Sequence, residues 1–272
     1  MKTILFLFGG CSTEYEVSLQ SAHAVLQALD RSRYTPLAVG ITREGRWLRY
    51  GGPLFHLETG DWEAQPDCVP CALSLDRGDL RLLWLDGSGR SEPFDAAFPV
   101  LHGKNGEDGT VQGLLELIGA PIIGCGALSS ALCMDKDRSH KLAALAGVRV
   151  PRGRLFRRGD DAGEIARAAE ALGYPLFVKP VRAGSSFGVS RVAAPEHLAA
   201  AAEEAFRHDR EILLEEAVPG FEVSCAILGS TALTVGAVAE FQVEGGFIDY
   251  GEKYADGGTL RIYCPARIPP EK

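Results

Sequence analysis

The stretch Arg182-Ala183-Gly184-Ser185-Ser186-Phe187-Gly188 has the composition of a loop that can wrap a phosphate. Its glycines permit dihedrals at which consecutive N–H groups converge on oxygen, its hydroxyls add donors, and Lys179 supplies positive charge just before it. That is the outline of a nucleotide-triphosphate lid. Taken alone, the same residues are equally a flexible surface hairpin. They do not fit G-x-x-x-x-G-K-[ST], so a Walker cradle is excluded. Gly124-Cys125-Gly126 begins a G-x-G, but Ser129 replaces the third glycine of a dinucleotide fingerprint, and no ribose-binding acid is well placed about 20 residues on.

Other candidate groups sit where segments end. Glu14 follows the Gly9-Gly10 turn; it is either an acid presented to a ligand at the end of a strand or a solvated first-turn acid favourable to a helix dipole. Glu16, two residues on, has only the second reading. His102 closes an apolar run and, standing alone, is more often structural. Lys136 reads as a solvated helix residue, Lys253-Tyr254 as a charged loop, and Glu215 and Glu222 as strand-edge acids. Cys68-Val69-Pro70-Cys71 has zinc-ligand spacing, yet no second Cys/His pair lies at a fitting distance, and a loop coincidence is the simpler account.

The elements that must position these groups change character midway. Residues 3–8 are nearly all apolar, as in a parallel strand buried on both faces. Ser12 or Thr13 then caps a helix carrying Val17, Ala22, Val25, Leu26 and Leu29 at helical spacing. A strand at 35–41 completes a βαβ unit. Residues 43–92 hold short strands between glycine turns and read as an elaboration of the sheet. The sequence from Ala96 to Leu101 is another buried strand, followed by a glycine loop and a helix with Val111, Leu114, Leu115 and Ile118. A helix is expected over 136–146, basic on one side and packed through Leu and Ala at 142–145 on the other. Beyond Pro151 the pattern is α+β: strands near 153–156, 174–180, 188–192, 212–216, 222–228 and 233–241, with helices over 161–172 and 195–207.

Composition sets outer limits. The chain has 272 residues, enough for more than one domain, with average globular usage. A net charge of −8 disfavours broad, sequence-independent nucleic-acid binding. No window approaches the roughly 20 apolar residues of a membrane helix. The start resembles an export signal ending at Cys11, but its apolar run is shorter than the roughly 7–15 residues such signals carry. Seven scattered cysteines, an odd number, fit reduced thiols in a cytoplasm.

Five blocks, taken together, carry a resemblance. They are Phe8-Gly9-Gly10-Cys11-Ser12-Thr13-Glu14-Tyr15-Glu16-Val17-Ser18, Leu101-His102-Gly103-Lys104-Asn105-Gly106-Glu107-Asp108-Gly109-Thr110, Met134-Asp135-Lys136, Lys179 with its Gly-Ser-Ser loop, and Asp249-Tyr250-Gly251-Glu252-Lys253-Tyr254. In order and context the chain resembles the D-alanine–D-alanine ligase family over essentially its whole length. The resemblance implies an ATP-grasp architecture, α/β and α+β. Its parts would be an N-terminal Rossmann-like domain over 1–126 with 43–92 as elaboration, a central lid domain over 127–218, and the start of a C-terminal domain over 219–272. It also implies ATP-dependent joining of two D-amino acids through an acyl phosphate, for a peptidoglycan precursor. Glu14 would hold the ammonium of the first D-alanine and form a hydrogen-bonded triad with Ser185 and Tyr254. His102 would lie near the second substrate. Lys136, Lys179, Ser185, Ser186 and Lys253 would contact phosphates, Glu215 would mark the adenine strand, and Glu222 would meet the ribose.

Further expectations follow from the same resemblance. Glu252-Lys253-Tyr254 favours a peptide product over a D-lactate ester. Residues 11–18, 43–92 and 181–188 look closest to vancomycin-resistance ligases that pair D-alanine with D-serine. Members are commonly homodimers through the N-terminal domain, which the helix 111–118 would serve unless it faces the core. In the family, the transition-state Arg and the ligands of magnesium lie downstream of the Tyr263-Cys264-Pro265-Ala266 strand, and none is found among these residues. The competing expectation is therefore a truncated, noncatalytic nucleotide-binding protein.

Overall fold

The computed structural model describes residues 1–243 and 259–269. Contacts divide the chain into two units, one formed by 1–148 with 181–184, the other by 149–180 with the described residues from 185 onward. Residues 127–148 thus fall in the first unit by contacts.

In the first unit, β1 (Lys2–Gly9) leads through α1 (Tyr15–Ala28) into β2 (Tyr34–Ile41), and β7 (Ala96–Pro99) lies on the other side of β1. Both neighbours are parallel to β1, with Leu5 level with Leu37 and Ala97. Strand side chains alternate across a sheet. Ile4, Phe6 and Phe8 therefore pack with Tyr15, Leu19, Ala22 and Leu26 of α1, while Leu5 and Leu7 pack with α3 (Thr110–Ile118) through Val111, Leu115 and Ile118. Burial on both faces is why the run is uniformly apolar. It also places the apolar face of α3 in the core, where it cannot serve as a surface between two copies.

Residues 43–92 supply β3 (Trp47–Tyr50), β4 (Cys68–Leu73), β5 (Arg81–Trp84) and β6 (Ser91–Pro93), which extend the sheet antiparallel in the order β6-β5-β4-β3-β2-β1-β7. Between β3 and β4, α2 (Phe55–Thr59) and a 3-10 turn, Trp62–Ala64, bring Trp62 beneath the sheet. Cys68 and Cys71 both lie on β4, three residues apart, so the pleat sends them to opposite cores. Burial pushes their thiols up to about 11 and about 12. Their spacing forms no metal pair.

Three expectations need correction here. The N-cap of α1 is Glu14 rather than Ser12 or Thr13; Ser12 Oγ instead accepts the Glu14 N–H at 3.1 Å, one step before the helix. A helix absent from the sequence reading, α4 (Ala127–Met134), precedes α5 (Lys136–Leu145). On α5 no residue is buried: Leu142 and Leu145 are 47% and 85% exposed, and the helix is held by its N-cap and ion pairs instead of an apolar face.

In the second unit, β8 (Gly153–Arg157), β9 (Leu176–Pro180), β10 (Ser190–Val192) and β11 (Glu211–Glu216) form an antiparallel sheet ordered β10-β9-β11-β8. Its Leu176, Val178, Ile212 and Leu214 side chains pack with α6 (Ala162–Leu172) and α7 (Leu198–His208). A further sheet joins β12 (Glu222–Leu228), β13 (Thr234–Gln242) and β14 (Arg261–Tyr263), with Val223, Ile227, Leu228 and Val235 exposed. No helix among the described residues is long and apolar enough to cross a membrane.

Gly40 on β2 gives a direct test of the packing. A Cβ there would fall within the ring of the fully buried Trp62. Gly40→Ala should destabilise the first unit by about 1–3 kcal/mol through overpacking, read as a lower urea midpoint. An unchanged midpoint would show that the ring is not fixed there.

Candidate functional site

Glu14 is a carboxylate withdrawn from water at the ends of the parallel strands, with 4% of its surface exposed. Its surroundings are made from bare backbone. A Cβ on Gly103 would collide with Glu14 Oε2 and stand 2.8 Å from Ser12 Oγ; one on Gly184 would come within 2.7 Å of Glu14 Oε2. Gly103 has φ +67, so both its conformation and its lack of a side chain are required. The first turn of α1 is fastened by Ser18, whose Oγ accepts from Gly9 N at 2.8 Å and donates to Val100 O at 2.5 Å. The glycine turn after β1 and the loop after β7 thereby converge on the carboxylate.

His102 lies in the loop after β7, beside a cavity of about 590 Å³ also bordered by Ser21, Glu107, Gln112, Lys136 and Gly184. Its Nε2 is 2.9 Å from Ser21 Oγ, and its Nδ1 is 4.0 Å from Glu107 Oε1. Glu107 Oε2 also accepts from Gly103 N at 2.8 Å, so the carboxylate that faces the histidine holds the glycine that borders Glu14. Ser21 and Glu107 were not among the sequence candidates; their offset from His102 is meaningful only once α1 lies beside the β7 loop.

Lys136 opens α5, and its Nζ donates to Ala183 O at 2.7 Å and lies 3.5 Å from Val181 O. Its neighbour Asp135, buried, caps the helix by accepting from Arg138 N at 2.9 Å and pairs with the guanidinium of Arg138. Arg182 Nη1 stands 3.8 Å from the same carboxylate. Asp135 and Lys136 together hold the chain from 181 to 184, immediately before Ser185.

In the second unit, Lys179 and Glu215 are brought together as an ion pair on the sheet face opposite α6 and α7. The Lys179 ammonium also lies 5.2 Å from the centre of the Phe177 ring. Ser185 and Ser186 are in the left-handed region, at φ 45 and 60, which costs a non-glycine residue roughly 1–2 kcal/mol each. Strain of this kind is retained where the backbone has a task. Glu222 is exposed at the start of β12, and Glu16 pairs with Arg43, so the surface role expected for Glu16 is the one observed. Lys253 and Tyr254 lie outside the described residues. Among the described residues no three His, Cys, Asp or Glu side chains are grouped to hold a metal ion.

Two family profiles and several known proteins match the chain. Residues 3–125 match the profile of the D-ala D-ala ligase N-terminus and residues 142–272 that of the D-ala D-ala ligase C-terminus. The chain is 40% identical over 274 residues to the D-alanine–D-alanine ligase of Thermoanaerobacter sp. (strain X514), covering 100% of this chain and 76% of that protein. It is 46% identical over 271 residues to a putative D-alanine–D-lactate ligase of Streptomyces coelicolor, covering 98% of this chain and 75% of that one. The crystal structure of the VanG D-Ala:D-Ser ligase from Enterococcus faecalis superposes with a TM-score of 0.88 at 48% identity, over 99% of this chain and 78% of that chain.

The Asp135 cap predicts a local effect. Asp135→Ala should cost about 0.5–2 kcal/mol, and hydrogen exchange at the Arg138 amide should accelerate, whereas Asp135→Asn should restore most of the protection because it keeps an acceptor at the cap. Equal exchange in the two variants would mean that charge, not the cap, holds α5.

Proposed function

The chain belongs to the D-alanine–D-alanine ligase family, whose members use ATP to join two D-amino acids, and from that premise we propose that Glu14 receives the ammonium of the first D-alanine. The observation that supports this reading is the near-complete burial of Glu14 at the C-terminal ends of parallel strands, the place where α/β sheets bind ligands. Its carboxylate has the charge and the acceptor oxygens that a substrate ammonium would complement.

The reaction then proceeds in two steps. The first D-alanine carboxylate attacks the γ-phosphorus of ATP, giving an acyl phosphate and ADP. The amine of the second D-amino acid attacks the acyl carbon, loses a proton, and phosphate leaves from the tetrahedral intermediate. Lys179, Lys253 and the N–H and hydroxyl groups of Ser185 and Ser186 stabilise charge on the transferred phosphoryl group. Lys136 also contacts the phosphates, and its Nζ bonds the backbone at Ala183, just before the Gly-Ser-Ser loop. Ser185 and Tyr254 complete a hydrogen-bonded triad with Glu14, His102 orients the second substrate, Glu215 marks the adenine strand, and Glu222 takes the ribose. Closure of the Gly-Ser-Ser lid and the Lys253-Tyr254 loop keeps water from the acyl phosphate. Magnesium accompanies ATP in this reading, but the described residues do not form a site for it, and no step here runs through the ion.

The domain reading is a Rossmann-like part over 1–126, a lid over 127–218 and the start of a C-terminal part from 219. The product is a peptidoglycan precursor made in the cytoplasm, and homodimer formation, if it uses the first unit, must use a surface other than the core face of α3. Glu252-Lys253-Tyr254 favours an amine over a hydroxy acid as second substrate. The 48% identity with the VanG D-Ala:D-Ser ligase supports a second reading in which that amine belongs to D-serine.

In the full-length enzyme, Glu14→Gln should raise KM for the first D-alanine about 10- to 100-fold, the worth of roughly 1.5–3 kcal/mol for a hydrogen bond between charged groups, while KM for ATP stays the same. Assaying D-alanine-dependent phosphate release separates the two constants. A parallel loss of ATP affinity would assign Glu14 to folding instead.

A further inference from the structure

We infer that Trp62, on the segment between β3 and β4, is a positioning residue for Glu14 and acts through Tyr15. This rests on the reading of Glu14 given above and extends it to a part of the chain that touches no substrate.

Tyr15 follows Glu14 directly, is 4% exposed, and begins α1. Its phenol oxygen accepts a hydrogen bond from Trp62 Nε1 at 2.8 Å. Burial raises the phenol above its ordinary value, so it stays protonated in neutral solution. Its ring is closed in on the other sides. A Cβ on Gly9 would stand 3.0 Å from Tyr15 Cε2, and the Arg43 guanidinium lies 4.2 Å from the ring centre while pairing with Glu16.

Trp62 is itself immobilised. It is fully buried, meets Phe8 edge-on at 5.0 Å and 73° and Tyr50 at 5.9 Å and 79°, and lies against Gly40, where any side chain would overlap it. The indole N–H is thus a fixed donor, and the hydrogen bond transmits its position to Tyr15. Neighbouring Cα atoms are a constant ~3.8 Å apart across a trans peptide, so the placement of Tyr15 constrains the backbone of Glu14, whose carboxylate occupies the space that a Cβ on Gly103 or Gly184 would need. Ser12 and Ser18 hold the same turn from the strand side. Removing Trp62's donor leaves that support and frees the other.

The test uses the full-length enzyme with Trp62→Phe, which keeps an aromatic ring and removes the N–H, and Tyr15→Phe, which removes only the accepting oxygen. Each should raise KM for the first D-alanine about 3- to 10-fold, the effect of one neutral hydrogen bond, with kcat and KM for ATP and for the second amino acid unchanged. Because both delete the same bond, the double variant should be no worse than the worse single one, and neither change should add to Glu14→Gln. A first-substrate KM within 1.5-fold of the parent in both variants, with only a lowered melting temperature, would make Trp62 a core residue and overturn the inference. If Trp62→Phe fails to fold, Tyr15→Phe decides alone. A raised KM in Glu14→Gln with no change in Trp62→Phe or Tyr15→Phe overturns this inference but leaves the Glu14 reading intact; no change in Glu14→Gln overturns both assignments to Glu14, whatever the other variants do.

Discussion

A carboxylate taken out of water must be held by fixed partners, and Glu14 is only 4% exposed. Much of the first unit is arranged around that group. Gly9, at φ +82, turns the chain sharply at the end of β1, and its Cβ would collide with Ile41 O. Gly103 and Gly184 bring main chain to the carboxylate where side chains would fill the space. Ser12, Ser18 and Tyr15 hold the turn that carries it. Such a site is stiff, and its stiffness comes from packing on both faces of β1 rather than from the loop itself.

The second unit solves a different problem. Lys179 pairs with Glu215 on the sheet face opposite the helices, so its charge is neutralised, and its ammonium lies 5.2 Å from the centre of the Phe177 ring. Two consecutive serines stand at positive φ, a backbone that tight turns usually give to Gly, Asn or Asp. Asp135, Arg138, Arg182 and Lys136 fix the residues just before them, so strain and anchor are adjacent in the chain.

What was readable in the sequence was what local pattern encodes. The two-face burial of β1 leaves a uniform apolar run, the core stripe of α3 recurs at helical spacing, and β9 alternates buried with half-buried positions. Glu14, His102, Lys136, Lys179, Ser185 and Ser186 stand out as candidates because their types and spacings resemble those of a known family. Long-range partners were not identifiable. Trp62 and Tyr15 are separated by 47 positions and Lys179 and Glu215 by 36, and their meeting depends on sheet order and register. The exposed Leu142 and Leu145 mislead for a related reason: periodicity announces an apolar face but not whether another element covers it. α4, eight residues with no side-chain cap and a weak stripe, lacks the signals that mark longer helices.

The central claim is that the buried carboxylate of Glu14 selects an ammonium-bearing first substrate. It is tested most directly by changing the substrate in place of the protein alone. Inhibition of D-alanine-dependent phosphate release should be compared for a D-alanine analogue that keeps the α-amine and for propanoate, which lacks it, in the parent enzyme and in Glu14→Gln. The account predicts that the parent prefers the amine-bearing compound and that this preference collapses in Glu14→Gln, with ATP affinity unaltered. The same preference in both proteins would contradict it, and would place recognition of the amine on another group.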